Sequence, residues 1–286
     1  HESFSDSISA VKYIKEQNMP IVIKADGLAA GKGVFIVENK DEGCKLINDL
    51  FTGQIDGIKT SLIIIEEFLK GEEASFICLI SGNQIVPLAS SKDHKKLNNG
   101  DSGPNTGGMG AYSPTKLINK KITSTVIEKV ISPTLKELKK YGEEYKGFLY
   151  AGLMIDENQK PYVLEYNCRL GDPEAQAILM RLESDIIDIF LSTIDSTLDD
   201  LKIKWKEERA CTVVLASEGY PGKYEKGKVI EGLDHEIEGT KIFHSGTKKD
   251  NGKLVTNGGR VLSVTALGVN LQVAQAKAYD RCNQVH

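Results

Sequence analysis

Two lysines stand at a glycine-rich turn near the start of the chain, where they could bind a polyphosphate. Lys24 ends a short apolar run, and Lys32 stands between Gly31 and Gly33. Glycine-rich turns let backbone N–H groups approach phosphate oxygens, and lysines supply the matching charge. The turn is not a P-loop, because Lys32 follows Gly27 one residue too early, and it lacks the third glycine of a Rossmann fingerprint. This pattern alone favours phosphate binding and a plain hairpin turn with solvated lysines equally.

An acidic segment follows the apolar run that ends at Ile65. Its first part reads Glu66-Glu67-Phe68-Leu69, and its second part, after Gly71, is Glu72 and Glu73. Backbone groups that leave a sheet at such a point could hydrogen-bond the edge of an adenine, and a following carboxylate could accept hydrogen bonds from two ribose hydroxyls. A solvated acidic turn explains the same residues, and the segment by itself favours that simpler interpretation.

A strand that ends in Glu165-Tyr166-Asn167-Cys168-Arg169 combines residue types suited to a metal–phosphate centre. Because side chains alternate across a strand, Glu165, Asn167 and Arg169 should share one face. Carboxylate and amide oxygens suit Mg²⁺, and a planar guanidinium suits a phosphoryl group or an acyl phosphate. A solvent-facing strand with salt bridges is the alternative. The turn Gly171-Asp172-Pro173-Glu174 follows at once and predicts a helix start, which favours the functional interpretation.

A long polar connection covers residues 90–114. Within it, Asp93, His94 and Lys95 could position a phosphate or an amine, although His94 alone is uninformative. The run Thr106-Gly107-Gly108-Met109-Gly110 would let the backbone approach a ligand closely, because glycine has no side chain. Loops of this length in compact domains are usually functional or disordered, so a flexible surface loop is the alternative.

The elements that must position these residues are short strands and amphipathic helices. Hydrophobic periodicity predicts strands at residues 21–23, 33–37, 62–65, 74–80, 84–88, 148–155, 162–167, 212–216 and 260–266. Helices are predicted at residues 1–18, 41–51, 126–138, 175–191 and 271–280, with a bend or break at Pro133. Antiparallel hairpins without a regular βαβ alternation indicate an α+β fold. The charged stretch at residues 202–209 is the best candidate for a domain boundary.

Composition narrows the class of protein. The 286 residues carry a net charge of −4, which offers no basic surface to nucleic acid. The five cysteines are far apart, so they show no zinc or redox spacing and fit a reducing compartment. Neither a signal peptide nor a membrane-length apolar run is visible. We therefore expect a cytoplasmic protein with no nucleic-acid or membrane partner. We also expect it to be a monomer.

Taken in order, these segments resemble the motifs of the glycinamide ribonucleotide synthetases, a family of ATP-grasp ligases. The similarity covers nearly the whole chain and includes Thr256-Asn257-Gly258-Gly259-Arg260-Val261-Leu262. It implies an ATP-grasp fold, in which two α+β subdomains grip ATP, followed by a small, mostly β domain. The implied ranges are 1–85 for the subdomain with the glycine-rich loop, 86–205 for the subdomain with the metal and substrate sites, and 206–286 for the C-terminal domain.

The resemblance also implies a reaction of purine synthesis. ATP would phosphorylate the carboxylate of glycine, and the amine of 5-phosphoribosylamine would attack the resulting acyl phosphate. The products would be glycinamide ribonucleotide, ADP and phosphate. Phosphorylation supplies a leaving group, so no nucleophilic serine or cysteine is required, and closure of the glycine-rich loop would exclude water from the intermediate.

Residue roles follow from the same likeness. The implied ATP-binding residues are Lys24, Gly27, Gly31, Lys32, Gly33, Glu66, Glu67, Phe68, Leu69 and Glu73, with Glu72 as second choice for the ribose. The implied substrate residues are Asp93, His94, Lys95, Thr106, Gly107, Gly108, Gly110 and Asp172. Glu165 and Asn167 would hold Mg²⁺ or Mn²⁺, and Arg169 and Lys32 would be the catalytic residues at the transferred phosphoryl group.

Two departures from the family pattern are visible. Residues 150–154 contain no acid, which leaves a lean metal site. The chain also lacks the family's N-terminal domain and its last residues, which implies a fragment of a longer enzyme. The alternatives are another ATP-grasp ligase, such as a biotin-dependent carboxylase component, and a non-catalytic nucleotide-binding module. The loop at residues 93–114 disfavours the first, and the presence of Lys32, Glu165, Asn167 and Arg169 disfavours the second.

Overall fold

The computed structural model describes residues 1–27, 33–55, 58–142 and 144–286. These residues form two compact units, His1–Lys70 and Gly71–His286. Each unit combines antiparallel strands with helices, which confirms the predicted α+β class. No helix formed by the described residues has the length and hydrophobicity needed to cross a bilayer.

The first unit is a four-stranded antiparallel sheet with two helices. Its elements are β1 (Glu2–Phe4), α1 (Ser7–Glu16), β2 (Ile21–Ala25), β3 (Val34–Val37), α2 (Lys40–Thr52) and β4 (Ile63–Glu67), and the strand order is β1-β4-β2-β3. Alternate strand residues such as Ile23 and Ile65 pack against helix residues such as Ile14 and Ile47 in one apolar core. A side chain on Gly43 of α2 would collide with Ile14, so glycine lets α1 and α2 approach each other closely.

The start of the chain differs from the predicted helix over residues 1–18. Residues Glu2–Phe4 form β1 instead, because they pair antiparallel with β4 at Ile63–Ile65. The helix begins only after Asp6, whose carboxylate caps it by accepting a hydrogen bond from the Ser9 N–H at 2.8 Å. The predicted pairing of the next two strands is confirmed by the antiparallel register of β2 and β3.

The second unit holds the remaining elements. They are β5 (Glu72–Ser81), β6 (Gln84–Pro87), β7 (Lys92–Asp93), β8 (Lys96–Asn98), β9 (Ser102–Asn105), β10 (Gly110–Ser113), α3 (Lys120–Val126), α4 (Ser132–Lys139), β11 (Lys146–Ile155), β12 (Pro161–Asn167), α5 (Glu174–Met180), α6 (Ile186–Ile194), β13 (Arg209–Ala216), β14 (Thr240–His244), β15 (Thr247–Asp250), β16 (Lys253–Thr256), β17 (Arg260–Gly268) and α7 (Leu271–Cys282). A π-helical turn, Ile127–Ile131, joins α3 to α4.

Two sheets organise this unit. The first has the strand order β12-β11-β5-β6, and the second has the order β14-β17-β13-β10-β7. The apolar residues of α3, the π-helical turn and α4 cover one face of the first sheet, and α6 packs on the opposite face through Ile189 and Leu79. Helix α7 packs against β17 through Ala278 and Cys282. Ser75 and Ser91 form an isolated bridge, which brings the segment before β7 beside β5.

Three predicted elements change in the second unit. The connection at residues 90–114 is not a plain loop, because it contains β7, β8, β9 and β10. The helix predicted at residues 175–191 is divided into α5 and α6, since the Asp185 carboxylate caps a new helix by accepting from the Ile187 N–H. Pro133 lies in the first turn of α4, directly after the π-helical turn, so the predicted irregularity falls just before the proline.

The domain boundary expected after residue 85 stays a prediction, and the division into compact units falls after Lys70. The reason is that β5 pairs along its whole length with β11, from Glu72 opposite Ile155 to Ser81 opposite Lys146. Residues 71–286 form one compact unit, in which β10 shares a sheet with β13 and β17. A separate domain over residues 206–286 stays a prediction.

Candidate active site

In the first unit, Lys24 and Glu66 lie side by side on neighbouring strands. Lys24 Nζ is 2.6 Å from Glu66 Oε2, which joins a residue of the predicted phosphate loop to one of the predicted nucleotide hinge. The antiparallel register of β2 and β4 sets Lys24 opposite Ile64 and Val22 opposite Glu66, so the two charged side chains are diagonal neighbours on one face. The carboxylate therefore orients the lysine ammonium on the sheet.

The rest of the predicted ATP-binding set surrounds this pair in sequence. Gly27 has a φ of 121°, a backbone conformation that side chains rarely adopt, so glycine is needed where the turn begins. Gly33 accepts a hydrogen bond from the Ala25 N–H through its carbonyl at 2.8 Å. Gly31 and Lys32 lie outside the described residues. Glu67 ends β4, and Phe68 and Leu69 follow it half-buried.

In the second unit, one face of the first sheet gathers polar residues from three strands. The registers place Ser75 opposite Gly152, Glu165 opposite Gly152, and Asn167 opposite Tyr150. Directly opposed residues of paired strands share a face. A Cβ on Gly152 would lie 3.1 Å from Glu165 Cγ, so a glycine on the middle strand leaves space for that carboxylate. The sheet thus presents a carboxylate, an amide and two hydroxyls on one surface.

The two residues of the predicted metal site, Glu165 and Asn167, lie on the same face of β12. Tyr166 points away, since its hydroxyl lies 2.8 Å from Thr134 Oγ1 on α4, which confirms the alternation along β12. Arg169 follows the strand and donates from Nη2 to Asn167 Oδ1 at 3.4 Å and from Nη1 to Leu170 O at 2.9 Å. Its guanidinium therefore lies beside the amide, as predicted.

This pair fits a lean magnesium site. Glu165 and Asn167 supply one carboxylate and one amide oxygen, and Mg²⁺ commonly takes one or two carboxylates and completes its shell with phosphate oxygens and water. No group of three or more His, Cys, Asp or Glu side chains among the described residues could hold a metal. The donor set fits a metal that arrives with a polyphosphate better than one held by the protein alone.

Lys95 connects the metal pair to the predicted substrate segment. Its Nζ lies 3.0 Å from Glu73 Oε2 and 3.9 Å from Glu165 Oε1. Burial alone would lower the pKa of Lys95, but the carboxylates of Glu73, Asp93 and Glu165 outweigh burial and raise it. Glu73, predicted to contact ribose, is thus paired with Lys95, whereas the second-choice Glu72 pairs with Lys92 at 2.7 Å.

A buried hydrogen-bond network joins Ser75 and Tyr150 of this face to Glu174. Glu174 is 2% exposed, and its Oε1 accepts hydrogen bonds from Ser75 Oγ at 2.7 Å and from Tyr150 OH at 3.0 Å. A side chain on Gly171 would collide with the Glu174 carboxylate, so this glycine makes room for it. Burial, and then the Glu174 charge, raise the pKa of Tyr150, which keeps the phenol protonated.

Asp93 lies beside this network, and the pKa of its carboxyl group is unusually high. Burial raises the pKa of Asp93 from its ordinary 3.8 to about 7, the charge of Glu174 adds to the increase, and Lys95 opposes it. The adjacent His94 is partly buried, and burial followed by the charge of Lys92 lowers its pKa. Asp93 therefore changes its charge near neutral pH, which is a property common at functional sites.

The glycine-rich run folds back onto the same segment. The Thr106 N–H and hydroxyl both donate to the Lys95 carbonyl, at 2.7 and 2.8 Å, and the Gly108 N–H donates to Thr106 Oγ1 at 3.0 Å. His94 N donates to Gly110 O at 2.8 Å. The structure therefore brings the predicted substrate residues of the two segments together.

Asp172 joins this group through Arg260. The Asp172 carboxylate and carbonyl both accept hydrogen bonds from the Arg260 guanidinium, at 3.1 and 2.8 Å. Sequence reasoning assigned no role to Glu174, Tyr150 or Arg260, although Glu174 and Arg260 stand inside quoted motifs. Their partners are 24 to 153 residues away along the chain, so spacing could not reveal them.

A separate cavity of about 840 Å³ lies elsewhere in the second unit. Ser217, Tyr224, Lys228, Thr256 and His286 are among its lining residues, and none of the predicted site residues lines it. We assign it no role.

The fold and the site define an ATP-grasp protein. A crystal structure of biotin carboxylase from Campylobacter jejuni superposes with a TM-score of 0.74 at 14% identity, over 99% of this chain and 61% of that one, which shows the fold alone. Residues 1–175 match the family model described as "Phosphoribosylglycinamide synthetase, ATP-grasp (A) domain", and residues 210–286 match "Phosphoribosylglycinamide synthetase, C domain". The chain belongs to the phosphoribosylglycinamide synthetase family.

Similar proteins support this assignment. A phosphoribosylamine–glycine ligase of Vibrio parahaemolyticus is 49% identical over 286 residues, which are 100% of this chain and 67% of that protein. The crystal structure of phosphoribosylamine–glycine ligase from Thermotoga maritima has a TM-score of 0.86 and 39% identity, and the match covers 100% of this chain and 71% of that one. The predicted family is thus confirmed, and the carboxylase alternative is excluded at the level of family.

Proposed function

We propose that this chain catalyses the ATP-dependent ligation of glycine to 5-phosphoribosylamine, giving glycinamide ribonucleotide, ADP and phosphate. Membership of a ligase family supports the reaction class. The observation that carries the proposal is the surface on which Glu165, Asn167 and Arg169 adjoin the cluster around Lys95. Such a surface offers oxygen ligands to a metal–phosphate and cations to an acyl phosphate, next to carboxylates suited to an amine.

The chemistry requires activation of a carboxylate. An oxygen of the glycine carboxylate attacks the γ-phosphorus of ATP, the bond to the β-phosphate oxygen breaks, and ADP leaves. The amine of phosphoribosylamine then attacks the acyl carbon, and phosphate leaves with the oxygen that came from glycine. We assign the transferring phosphoryl group to Arg169, because its guanidinium lies against Asn167 and offers donors in a planar fork.

A divalent metal belongs to this proposal. We assign Mg²⁺, with Mn²⁺ as an alternative, to Glu165 and Asn167, and such an ion would neutralise phosphate charge during the transfer. Lys95 Nζ lies 3.9 Å from Glu165 Oε1, so the ammonium partly balances the charge of this carboxylate. Among the described residues the pair therefore has a compensating charge that a bound metal could replace.

The first unit provides the residues that we assign to ATP. Lys24 offers an ammonium group held by Glu66 at 2.6 Å, and Gly27 begins the glycine-rich turn at a positive φ. An ammonium beside a glycine-rich segment suits phosphate oxygens, because glycine lets phosphate approach the backbone N–H groups. Glu67 and Leu69 stay the proposed adenine contacts, through their backbone. Lys32 keeps its predicted role on sequence alone.

The two proposed amine substrates account for the excess of carboxyl groups near Lys95 in the second unit. The carboxyl groups of Glu73, Asp93 and Glu165 surround the Lys95 ammonium, and Glu174 adds its charge beside Asp93. This excess of acid attracts the amino groups of glycine and phosphoribosylamine. Asp93 can exist as an acid or a carboxylate near neutral pH, which suits a group that contacts an amine as it loses a proton.

The proposal is tested by phosphate release from ATP, with glycine and freshly prepared phosphoribosylamine omitted in turn. The protein is expressed both as these 286 residues and from its complete reading frame. We expect release only when both substrates are present, and we expect Arg169→Ala to lower kcat by about 10²-fold or more. Arg209→Ala, at the exposed start of β13, is the matched control. A folded protein that releases phosphate independently of both substrates would overturn the proposal.

Two further features complete the proposal. The cytoplasm is the proposed location, since the five cysteines form no disulfide in the structure. A monomer is the proposed state, and sedimentation equilibrium of the purified protein tests it, because a dimer would double the apparent mass.

A further inference from the structure

Arg260 bonds backbone and side-chain acceptors from two separate segments with one guanidinium. Its Nη1 donates to Gly107 O at 2.7 Å and to Asp172 O at 2.8 Å, and its Nη2 donates to Asp172 Oδ2 at 3.1 Å. A guanidinium has five donors in a fixed plane, so it can hold two separate segments in one arrangement. Arg260 starts β17 and stands in the motif for which the proposed function has no role.

Tyr220 binds the backbone N–H of Gly107, the residue whose carbonyl is bound by Arg260. The Gly107 N–H donates to the Tyr220 hydroxyl at 3.0 Å, so both backbone polar groups of Gly107 are bonded to side chains from beyond residue 206. The Tyr220 ring lies directly against Gly259, where a Cβ would collide with it. Gly259 therefore admits the tyrosine beside Arg260, which explains why a glycine precedes the arginine in this motif.

Arg260 and Tyr220 together form a clamp on residues 106–108. The two glycines of this clamped segment have no space for side chains. A Cβ on Gly107 would lie 3.0 Å from Arg260 Cζ, and a Cβ on Gly108 would lie 2.5 Å from Pro173 Cδ. Gly108 also has a φ of 114°, which side chains rarely adopt. The two glycines thus pass between Arg260 and the Asp172–Pro173 turn with their backbone alone.

Short covalent and hydrogen-bonded connections link the clamped segment to Lys95 and link Asp172 to Glu174. Thr106, next to Gly107, donates twice to the Lys95 carbonyl, at 2.7 and 2.8 Å. Asp172 is two residues from Glu174, whose carboxylate bonds Ser75 and Tyr150. A shift of the clamped segment would therefore move the backbone of Lys95 on one side and the Glu174 network on the other.

We propose that Arg260 and Tyr220 are positioning residues, which fix the Thr106–Gly108 segment and the Asp172 turn so that Lys95 and its carboxylates meet the amine substrates. This proposal rests on the proposed ligase function, and it assigns a task to Gly259 and Arg260 within the motif at residues 256–262. Neither residue needs to contact a substrate, because both act through the backbone that they hold. The consequence is that activity depends on residues of the C-terminal part without a change in ATP recognition by the first unit.

The test compares Arg260→Lys and Tyr220→Phe with two matched controls in the protein expressed from its complete reading frame. Arg281→Lys changes another buried arginine, which donates to the Gly232 and Leu233 carbonyls. Tyr224→Phe removes the hydroxyl of the ring that neighbours Tyr220 at 6.4 Å between centroids. Each variant is assayed for kcat, for KM of each substrate, and for thermal stability.

A lysine cannot reproduce the fork of Arg260, so we expect Arg260→Lys to lose about 10²-fold in kcat/KM for phosphoribosylamine or glycine. Tyr220→Phe should lose about 5-fold, the value of one hydrogen bond. KM for ATP should change by less than about 2-fold in both variants, because the hydrogen bonds of Arg260 and Tyr220 described above all join residues of the second unit. The controls should keep wild-type kinetics.

Two results would overturn the inference. One is a loss of thermal stability and of active fraction with unchanged kcat and KM per active site, which would show that the clamp only supports the fold. The other is wild-type kinetics in both Arg260→Lys and Tyr220→Phe. Failure of the proposed function is distinguishable, because it would remove ligase activity from the wild-type protein itself.

Discussion

Asp93→Asn should stabilise the second unit at alkaline pH and much less at acidic pH. The folded protein holds the Asp93 carboxyl in a buried, acidic environment that raises its pKa from 3.8 to about 7. Between these two values the folded state keeps a proton that the unfolded state has released. The unfolded state then binds fewer protons, so stability falls as the pH rises through this window and levels off above it.

The magnitude follows from the size of the shift. Each pKa unit corresponds to about 1.4 kcal/mol, and integration between about pH 5 and about pH 8 gives a loss of about 2.5 kcal/mol from this one carboxyl. Asparagine carries no charge and has no such loss. The difference in free energy of unfolding between Asp93→Asn and the wild-type protein should therefore shift by this amount in favour of the variant over that pH range.

Urea denaturation followed by tryptophan fluorescence measures this difference. Trp205 is the sole tryptophan of the sequence, and it packs against Ile77, Tyr150 and Ile178 in the second unit, so its emission reports on that unit. Asp280→Asn, on the exposed side of α7, controls for the loss of one negative charge. A difference that stays constant with pH, or that shifts toward the wild-type protein as the pH rises, would refute the assigned environment of Asp93.

Three further predictions concern other parts of the site. Glu174→Ala should lower the free energy of unfolding by about 2–4 kcal/mol in the same fluorescence assay, because two buried hydroxyls lose their acceptor; a loss below about 0.5 kcal/mol would contradict the network. Glu165→Gln should weaken the Mg²⁺-dependent binding of a non-hydrolysable ATP analogue by about 10-fold in calorimetry, whereas Glu157→Gln, in an exposed turn, should bind like the wild-type protein. Lys24→Met should raise KM for ATP by about 10-fold while KM for glycine is unchanged, and an equal rise in both would argue against a phosphate contact.

The sequence predicted those features that depend on local periodicity. The alternation along residues 162–167 correctly placed Glu165 and Asn167 on one face, because a strand has a side-chain period of two. The glycine-rich turn after Lys24 correctly indicated a hairpin, since its flanking apolar runs are short and close together. The order of these motifs along the chain then combined several individually weak patterns into one family assignment.

Features that depend on long-range pairing were missed. The first strand, Glu2–Phe4, has three residues and exists only because β4 pairs with it some sixty residues later, as the register of Ser3 with Ile64 shows. The division into compact units after Lys70 was not predicted, because the pairing of β5 with β11 is invisible in the local pattern. Hydrophobic runs predict that a strand exists, but they do not name its partner.

The candidate site also contains residues that the sequence could predict and residues that it could not. Asp93, Lys95 and Asp172 could be proposed from residue type and motif, and the structure brings them together with their neighbours. The buried acceptor role of Glu174 could not be predicted, because a glutamate at a helix start is ordinarily a solvated group that favours the helix dipole. Arg260 was recognised only as part of a motif, since its acceptors lie 88 and 153 residues away.

The most direct test of the ligase chemistry follows an oxygen atom. Glycine labelled with ¹⁸O in its carboxylate is incubated with ATP, phosphoribosylamine and the protein expressed from its complete reading frame, and the released phosphate is analysed by mass spectrometry. Formation of an acyl phosphate predicts one ¹⁸O atom in each phosphate formed, together with unlabelled ADP. Phosphate without ¹⁸O, released at the same rate as glycinamide ribonucleotide forms, would contradict the central claim that ATP activates the glycine carboxylate.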